Sequence, residues 1–155
     1  MRATGINHVS VVADDLEESA RFYEELFGAE RIPTATFPQP VLWLKLGSQQ
    51  LHLFEATGHE PTLRHHVGVD VDDFENVYRR ARERGILDTE AFGSALRSHP
   101  AGWVQLYVRD PAGNLVEVDW PDADSLSADI REQIVPLESM APQEGEAAVA
   151  TLYLP

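Results

Sequence analysis

Four side chains in the sequence have the chemistry of metal ligands: His8, His52, His66 and Glu117. Imidazole nitrogens and a carboxylate suit one divalent ion of Fe, Mn, Co, Ni or Zn. Two of the four open related segments. His8-Val9-Ser10-Val11-Val12-Ala13-Asp14-Asp15-Leu16-Glu17 aligns with His66-Val67-Gly68-Val69-Asp70-Val71-Asp72-Asp73-Phe74-Glu75 at a constant offset. Arg21 and Arg79 extend the match, and Gly28 and Gly85 close each copy one residue out of step. Repetition on this scale marks a fold built from two like units.

The elements that position these residues follow from periodicity. Val9 and Val11 alternate with His8 and Ser10, and Val67, Val69 and Val71 with His66, Gly68 and Asp70, which predicts a strand at the start of each copy. Asp14-Asp15 and Asp72-Asp73 offer N-caps. Leu16, Ala20, Tyr23 and Phe27, and then Phe74, Val77, Tyr78 and Ala81, fall at helical spacing. Gly28 and Gly85 stop the helices. Val41 to Leu46 with Gln50 to Glu55, and Val104 to Val108 with Leu115 to Trp120, read as strand pairs. The second turns on Asp110-Pro111-Ala112-Gly113-Asn114, whose residue types favour a turn. The class is α+β. Residues 1–120 form one domain of two modules, 4–56 and 64–120, joined by a linker at 57–63. Residues 121–155 are a C-terminal extension that packs on the domain or on a dimer partner. In it, Ser125 to Ile134 is predicted as a short helix and Ala148 to Leu154 as a strand.

Strand parity sorts side chains between two faces. If the valines of each first strand face the following helix, His8 and His66 face the other way. Leu51 and Leu53 leave His52 and Phe54 opposite, and Val116 and Val118 leave Glu117 and Asp119 opposite. His8, His66 and Glu117 are then a three-donor set, with His52 either a fourth ligand or a solvated or substrate-facing imidazole. Such a set leaves positions open for substrate, as catalytic metal sites do. The same parity lines the substrate wall with Ser10, Trp43, Phe54, Gln105 and Tyr107. Trp103 and Arg97 lie just before the strand and close over it, with Arg97 read as a loop arginine able to receive a carboxylate or phosphate. His59, His65 and His99 are assigned to the surface, and the loops 30–40 and 89–102 to specificity.

Bulk composition excludes other classes. A formal net charge of -14 repels nucleic acid and anionic lipid. The absence of cysteine removes disulfides, thiolate metal sites and a cysteine nucleophile. No signal peptide or membrane-spanning run is evident, so the expected location is cytoplasmic.

The pattern Ile6-Asn7-His8-Val9-Ser10-Val11, Arg21-Phe22-Tyr23, Leu26-Phe27-Gly28, His65-His66-Val67-Gly68-Val69 and Asp110-Pro111-Ala112-Gly113-Asn114-Leu115-Val116-Glu117 resembles the vicinal oxygen chelate superfamily. That group holds glyoxalases, bleomycin-resistance proteins and extradiol dioxygenases. The resemblance implies paired βαβββ modules forming a cupped mixed sheet around the metal, a small-molecule substrate and a homodimer. It matches His8, His66 and Glu117 to the recurring ligands. His52 falls where some members carry a fourth ligand, usually Glu or Gln, so a histidine there is a departure. The chemistry it implies is chelation of a substrate through two neighbouring oxygens, with Glu117 as the catalytic base. A lyase or isomerase working through an enolate is the first reading. An Fe(II) extradiol-type dioxygenase and a metal-free drug-binding resistance protein are the alternatives.

Overall fold

The computed structural model describes residues 2–153. The chain divides into two compact units, one of residues up to 65 with 109–114, the other of 66–108 with 115 onward.

The first unit runs β1 (His8–Ala13), α1 (Leu16–Phe27), β2 (Glu30–Arg31), β3 (Val41–Leu46) and β4 (Gln49–Glu55). Its sheet has the order β1-β4-β3-β2, with β1 parallel to β4 and the other pairs antiparallel. The helix starts where the sequence places its cap: the Asp15 side chain accepts from the Glu18 N–H at 2.9 Å. It stops at Gly28, which sits at φ 65, a left-handed conformation that favours glycine. Ala20, Tyr23 and Leu26 of α1 and Leu44, Leu51 and Leu53 of the sheet are buried. Each buried leucine contributes about 1.5–3 kcal/mol of apolar burial. Val9 departs from the parity reading. It remains 37% exposed, because β1 is the edge of its sheet and only its end, at Ala13, is fully covered.

The 109–114 segment belongs to this unit through one carboxylate. Asp110 accepts from the Tyr23 hydroxyl at 2.9 Å, from the backbone N–H groups of Ala112 and Asn114 at 3.0 and 2.8 Å, and from Asn114 Nδ2 at 2.8 Å. Asn114 Nδ2 also donates to the Val12 carbonyl at 2.7 Å. Burial pushes the Asp110 carboxyl up, and the bonds from Asn114 and Tyr23 oppose the shift.

The second unit runs β5 (His66–Asp70), α2 (Phe74–Glu83), β6 (Leu96–Ser98), β7 (Val104–Arg109), β8 (Leu115–Trp120), α3 (Ala128–Arg131) and β9 (Val135–Pro136). The sheet order is β5-β8-β7-β6-β9, with β5 parallel to β8 and β9 parallel to β6. Asp73 caps α2 by accepting from the Asn76 N–H at 3.1 Å. The element order strand, helix, three strands thus occurs twice, in two mixed sheets.

The extension differs from its sequence reading. Only Ala128–Arg131 of the expected 125–134 helix is α-helical, preceded by a 3-10 turn at Ala123–Ser125. Leu126 and Ile130 are nonetheless buried. The strand expected at 148–154 does not form among the described residues. Gly145–Val149 is a 3-10 helix instead, and Leu154 lies outside the described residues. The strand the extension does supply, β9, comes earlier and pairs Val135 with Arg97. Among the described residues, no helix is long and apolar enough to cross a membrane.

Candidate metal centre

Each unit brings one pair of the expected ligands together. In the first, β1 and β4 are parallel neighbours with His8 opposite Gln50 and Ser10 opposite His52. The His8 and His52 rings stack at 4.4 Å and 15°. His52 stacks in turn on Trp43, its cross-strand partner in β3, at 4.4 Å and 7°. Two amides hold the imidazoles. His8 Nδ1 donates to Asn7 Oδ1 at 2.6 Å, and His52 Nε2 donates to Gln50 Oε1 at 2.9 Å. The first of these leaves Nε2 of neutral His8 as a lone-pair donor, the arrangement that orients ligating histidines. Burial and then the neighbouring His8 lower the pKa of His52, so its neutral form is favoured.

In the second unit, Gly68 of β5 lies opposite Glu117 of β8. His66 Nε2 is 3.6 Å from Glu117 Oε2, and Glu117 is 6% exposed. Two donors about 2.1 Å from one tetrahedral ion stand roughly 3.4 Å apart, so this spacing suits a shared metal. Asp119, two residues on, shares the face. A Cβ added at Gly68 would lie 3.5 Å from Asp119 Oδ2 and 4.0 Å from Glu117 Oε1, so the missing side chain leaves room for both carboxylates. Burial, then Glu117 and Asp70, push the Asp119 carboxyl up to about 7. One of its oxygens, Oδ1, is buried with no hydrogen-bond partner among the described residues.

Among the described residues, no group of three or more His, Asp or Glu side chains is clustered as a metal site. The donors therefore stand as two pairs, His8 with His52 and His66 with Glu117. Their chemistry fits a divalent ion: a lone-pair nitrogen oriented by an amide, and an imidazole–carboxylate pair at ligand spacing.

The expected substrate wall divides in the same way. Ser10, Trp43 and Phe54 line an open cleft of about 520 Å³ in the first unit, with Asn7, His8, Phe37, Gln50 and His52. Gln105 and Tyr107 are buried in the second unit. The Tyr107 hydroxyl and His99 Nε2 both donate to Gln105 Oε1, at 2.9 and 2.7 Å. Burial and then Glu117 push the Tyr107 hydroxyl up, so it remains a donor. His99, assigned to the surface from sequence, is half-buried and stacks on Trp103 at 3.5 Å. Arg97 is not a loop arginine. It lies in β6, 7% exposed, where its guanidinium donates to the Phe92 carbonyl and lies 5.6 Å from the Phe92 ring centroid. Trp103 is buried and donates to the Ala150 carbonyl at 3.0 Å.

Sequence reasoning gave no role to Asn7, Gln50 or Asp119. The signal was available for all three. Asn7 adjoins His8, Gln50 shares a strand face with His52, and Asp119 shares one with Glu117.

The two βαβββ repeats, with imidazole on each first strand and imidazole or carboxylate on each last strand, define a protein of the vicinal oxygen chelate type. Residues 5–118 match the family model described as Glyoxalase/Bleomycin resistance protein/Dioxygenase superfamily, and the chain belongs to that superfamily. Human mitochondrial methylmalonyl-CoA epimerase is 25% identical over 130 residues, covering 74% of this chain and 72% of that protein. A virulence protein of Salmonella typhimurium is 30% identical over 125 residues, covering 73% and 81%. Among solved structures, a lactoylglutathione lyase from Agrobacterium tumefaciens is similar with a TM-score of 0.58 and 27% identity, covering 77% of this chain and 95% of that one. The fosfomycin resistance protein FosX of Listeria monocytogenes, solved with Mn(II), shares the fold with a TM-score of 0.62 at 16% identity, covering 76% and 92%.

Proposed function

We propose that this chain is a divalent-metal-dependent enzyme acting on a small substrate that chelates the metal through neighbouring oxygens, as a lyase or isomerase working through an enolate. The observation that carries this reading is the His66–Glu117 pair, a buried carboxylate 3.6 Å from an imidazole nitrogen. The named activities among its relatives, an epimerase and a lyase, support it. His8, His66 and Glu117 would hold the ion, and His52 is the fourth candidate. When bound, the metal supplies Lewis-acid stabilisation of the substrate oxygens. Glu117 takes a proton from the carbon beside the carbonyl and returns it, the role of a positioned carboxylate base. Asn7 fixes the His8 tautomer. Phe37, Trp43 and Phe54 take an apolar part of the substrate, with Ser10 as a polar contact. Tyr107 and Gln105 hold one another beside Glu117. The reading carries with it a cytoplasmic homodimer without nucleic-acid or membrane partners.

The test is metal content by mass spectrometry after loading with Mn(II), Co(II), Ni(II), Zn(II) or anaerobic Fe(II). Wild-type protein should retain one ion per chain, and His8→Ala and Glu117→Gln should lose it. Wild type that retains none sinks the enzyme reading and favours the metal-free binding protein. Oxygen uptake with catechol in the iron-loaded form would favour the dioxygenase. The donor set draws on both units. Mixing His8→Ala with Glu117→Ala protein shows whether one chain or two supply it, because recovery of metal on mixing requires ligands from two copies.

A further inference from the structure

The extension is stitched to the second unit at successive points. β9 pairs with β6 at Arg97 and Ser98. Met140 Sδ accepts from the Arg97 guanidinium at 3.5 Å. The Ala150 carbonyl accepts from Trp103 Nε1 at 3.0 Å, and Trp103 is itself held by its stack on His99. These anchors deliver Leu152 and Tyr153 to a cleft of about 340 Å³ that they line together with His66, Asp70, Glu117 and Asp119.

The polar inventory of that cleft is incomplete. Asp119 Oδ1 is buried with no hydrogen-bond partner among the described residues, and the Tyr153 hydroxyl is buried beside the Asp70 carboxylate without a hydrogen bond of full geometry. A buried polar atom without a partner costs free energy, so the carboxylate oxygen calls for a third party and the phenol beside it is free to turn toward one. Burial, then Asp70 and Asp119, hold the Tyr153 hydroxyl protonated, so it is a donor. A hydroxyl, of an alcohol or of water, can accept from the phenol and donate to a carboxylate. A charged end of a ligand would meet Asp70, Glu117 and Asp119 here, so the ligand presents its hydroxyl to this wall and any carboxylate away from it.

We propose that the C-terminal segment from Met140 to Tyr153 is a wall of the His66–Glu117 cleft, and that Tyr153 is a specificity-determining residue that limits ligand size with its ring and receives a ligand hydroxyl together with Asp119. This rests on the reading of His66 and Glu117 as the reactive site. The wall is tested without metal, by carbethoxylation of the full-length protein with diethyl pyrocarbonate and mapping of each histidine by mass spectrometry. In Tyr153→Ala, and in a chain ending at Gln143, the rate at His66 should rise severalfold, because the ring that covers the cleft is gone. His59, which takes no part in that cleft, serves as the internal control and should not change. Tyr153→Phe keeps the ring and should react at the wild-type rate. Equal His66 rates in wild type, Tyr153→Ala and the shortened chain would overturn the wall. The hydroxyl is tested with glycolate on Mn(II)-loaded protein, where Tyr153→Phe should bind about fivefold more weakly. Equal glycolate binding overturns that role. Failure of the wild type to hold Mn(II) counts against the proposed function, and the carbethoxylation result still decides the wall.

Discussion

The two units repeat one plan and fill it with opposite chemistry. At the equivalent position of the last strand, the first unit carries His52 and the second carries Glu117. The imidazole stacks between His8 and Trp43, in a cleft rich in rings and held by two amides. The carboxylate sits beside His66, Asp119 and the phenol of Tyr107. Buried carboxylates show the same contrast. Asp110 in the first unit accepts four hydrogen bonds, while Asp119 in the second has an oxygen with none. A satisfied buried charge holds structure together. An unsatisfied one marks a place where something else belongs. The repeat thus gives a pair of frames, one shaped to hold rings and the other to handle charge.

The sharpest way to break that contrast is to remove the last-strand residue from each unit. Glu117→Ala should weaken Mn(II) binding by more than about a hundredfold, since even outer-shell partners are worth roughly ten- to a hundredfold. His52→Ala should cost far less, because its ring is committed to the stack and its Nε2 to Gln50. Titration by electron paramagnetic resonance reads both, and equal losses would make His52 a full ligand and erase the difference between the units.

Asp110→Ala tests the structural half of the carboxylate comparison. The change strands the Tyr23 hydroxyl, which is buried, and frees the turn at 110–114. Urea unfolding of the metal-free protein should show a loss of about 3 kcal/mol. A loss well under 1 kcal/mol would show that the four bonds are not what ties this segment to the first unit.

The counterpart is Asp119→Asn, for which the expected sign reverses. The substitution keeps shape and removes a charge crowded by burial, Glu117 and Asp70. It should leave stability unchanged or raise it by up to about 1 kcal/mol, as relief at strained functional sites does. A destabilisation comparable to that of Asp110→Ala would place both carboxylates in the same structural role.

Much of this was legible in the residues. Period-two valines, aspartate caps and glycine stops gave both modules, because those signals act over a few residues and are read locally. Parity put His8 with His52 and His66 with Glu117, the two pairs that stand together in the structure. What escaped depends on long-range placement. Nothing local in Leu152 or Tyr153 says that they reach a cleft beside His66. Arg97 read as a loop arginine because β6 is only three residues long and owes its strand form to β7 and β9. Val9 read as core because alternation reports which face a residue is on, and not whether anything covers that face at a sheet edge. The helix at 125–134 was overextended for a related reason. Its apolar spacing is real, but it is satisfied by a single α-helical turn that needs help from outside to persist.

That help comes from a polar latch, and it sets the smallest expected effect. Glu75 of α2 accepts from the Ser127 N–H at 2.6 Å and from its hydroxyl at 3.0 Å, while Arg79 donates to Asp129 at 2.8 Å. The Ser127 backbone bond is the main cause that lowers the pKa of Glu75, and Arg79 lowers that of Asp129. Both carboxyls are held below their ordinary values of 4.5 and 3.8, so the folded state favours their ionised forms. The stabilisation is therefore complete above those values and is lost as pH falls through the lowered ones. Hydrogen exchange of residues 126–134 should accelerate relative to β7 and β8 as pH falls below the ordinary Glu75 value of 4.5, with no acceleration above it, after correction for the intrinsic rate. Glu75→Gln should bring much of that acceleration to neutral pH. Because the latch is exposed, the change should stay within a few-fold. The ring-lined cleft of the first unit has no part in the latch, so a parallel loosening of β3 and β4 over the same range would show that acid acts on the whole fold rather than on α3.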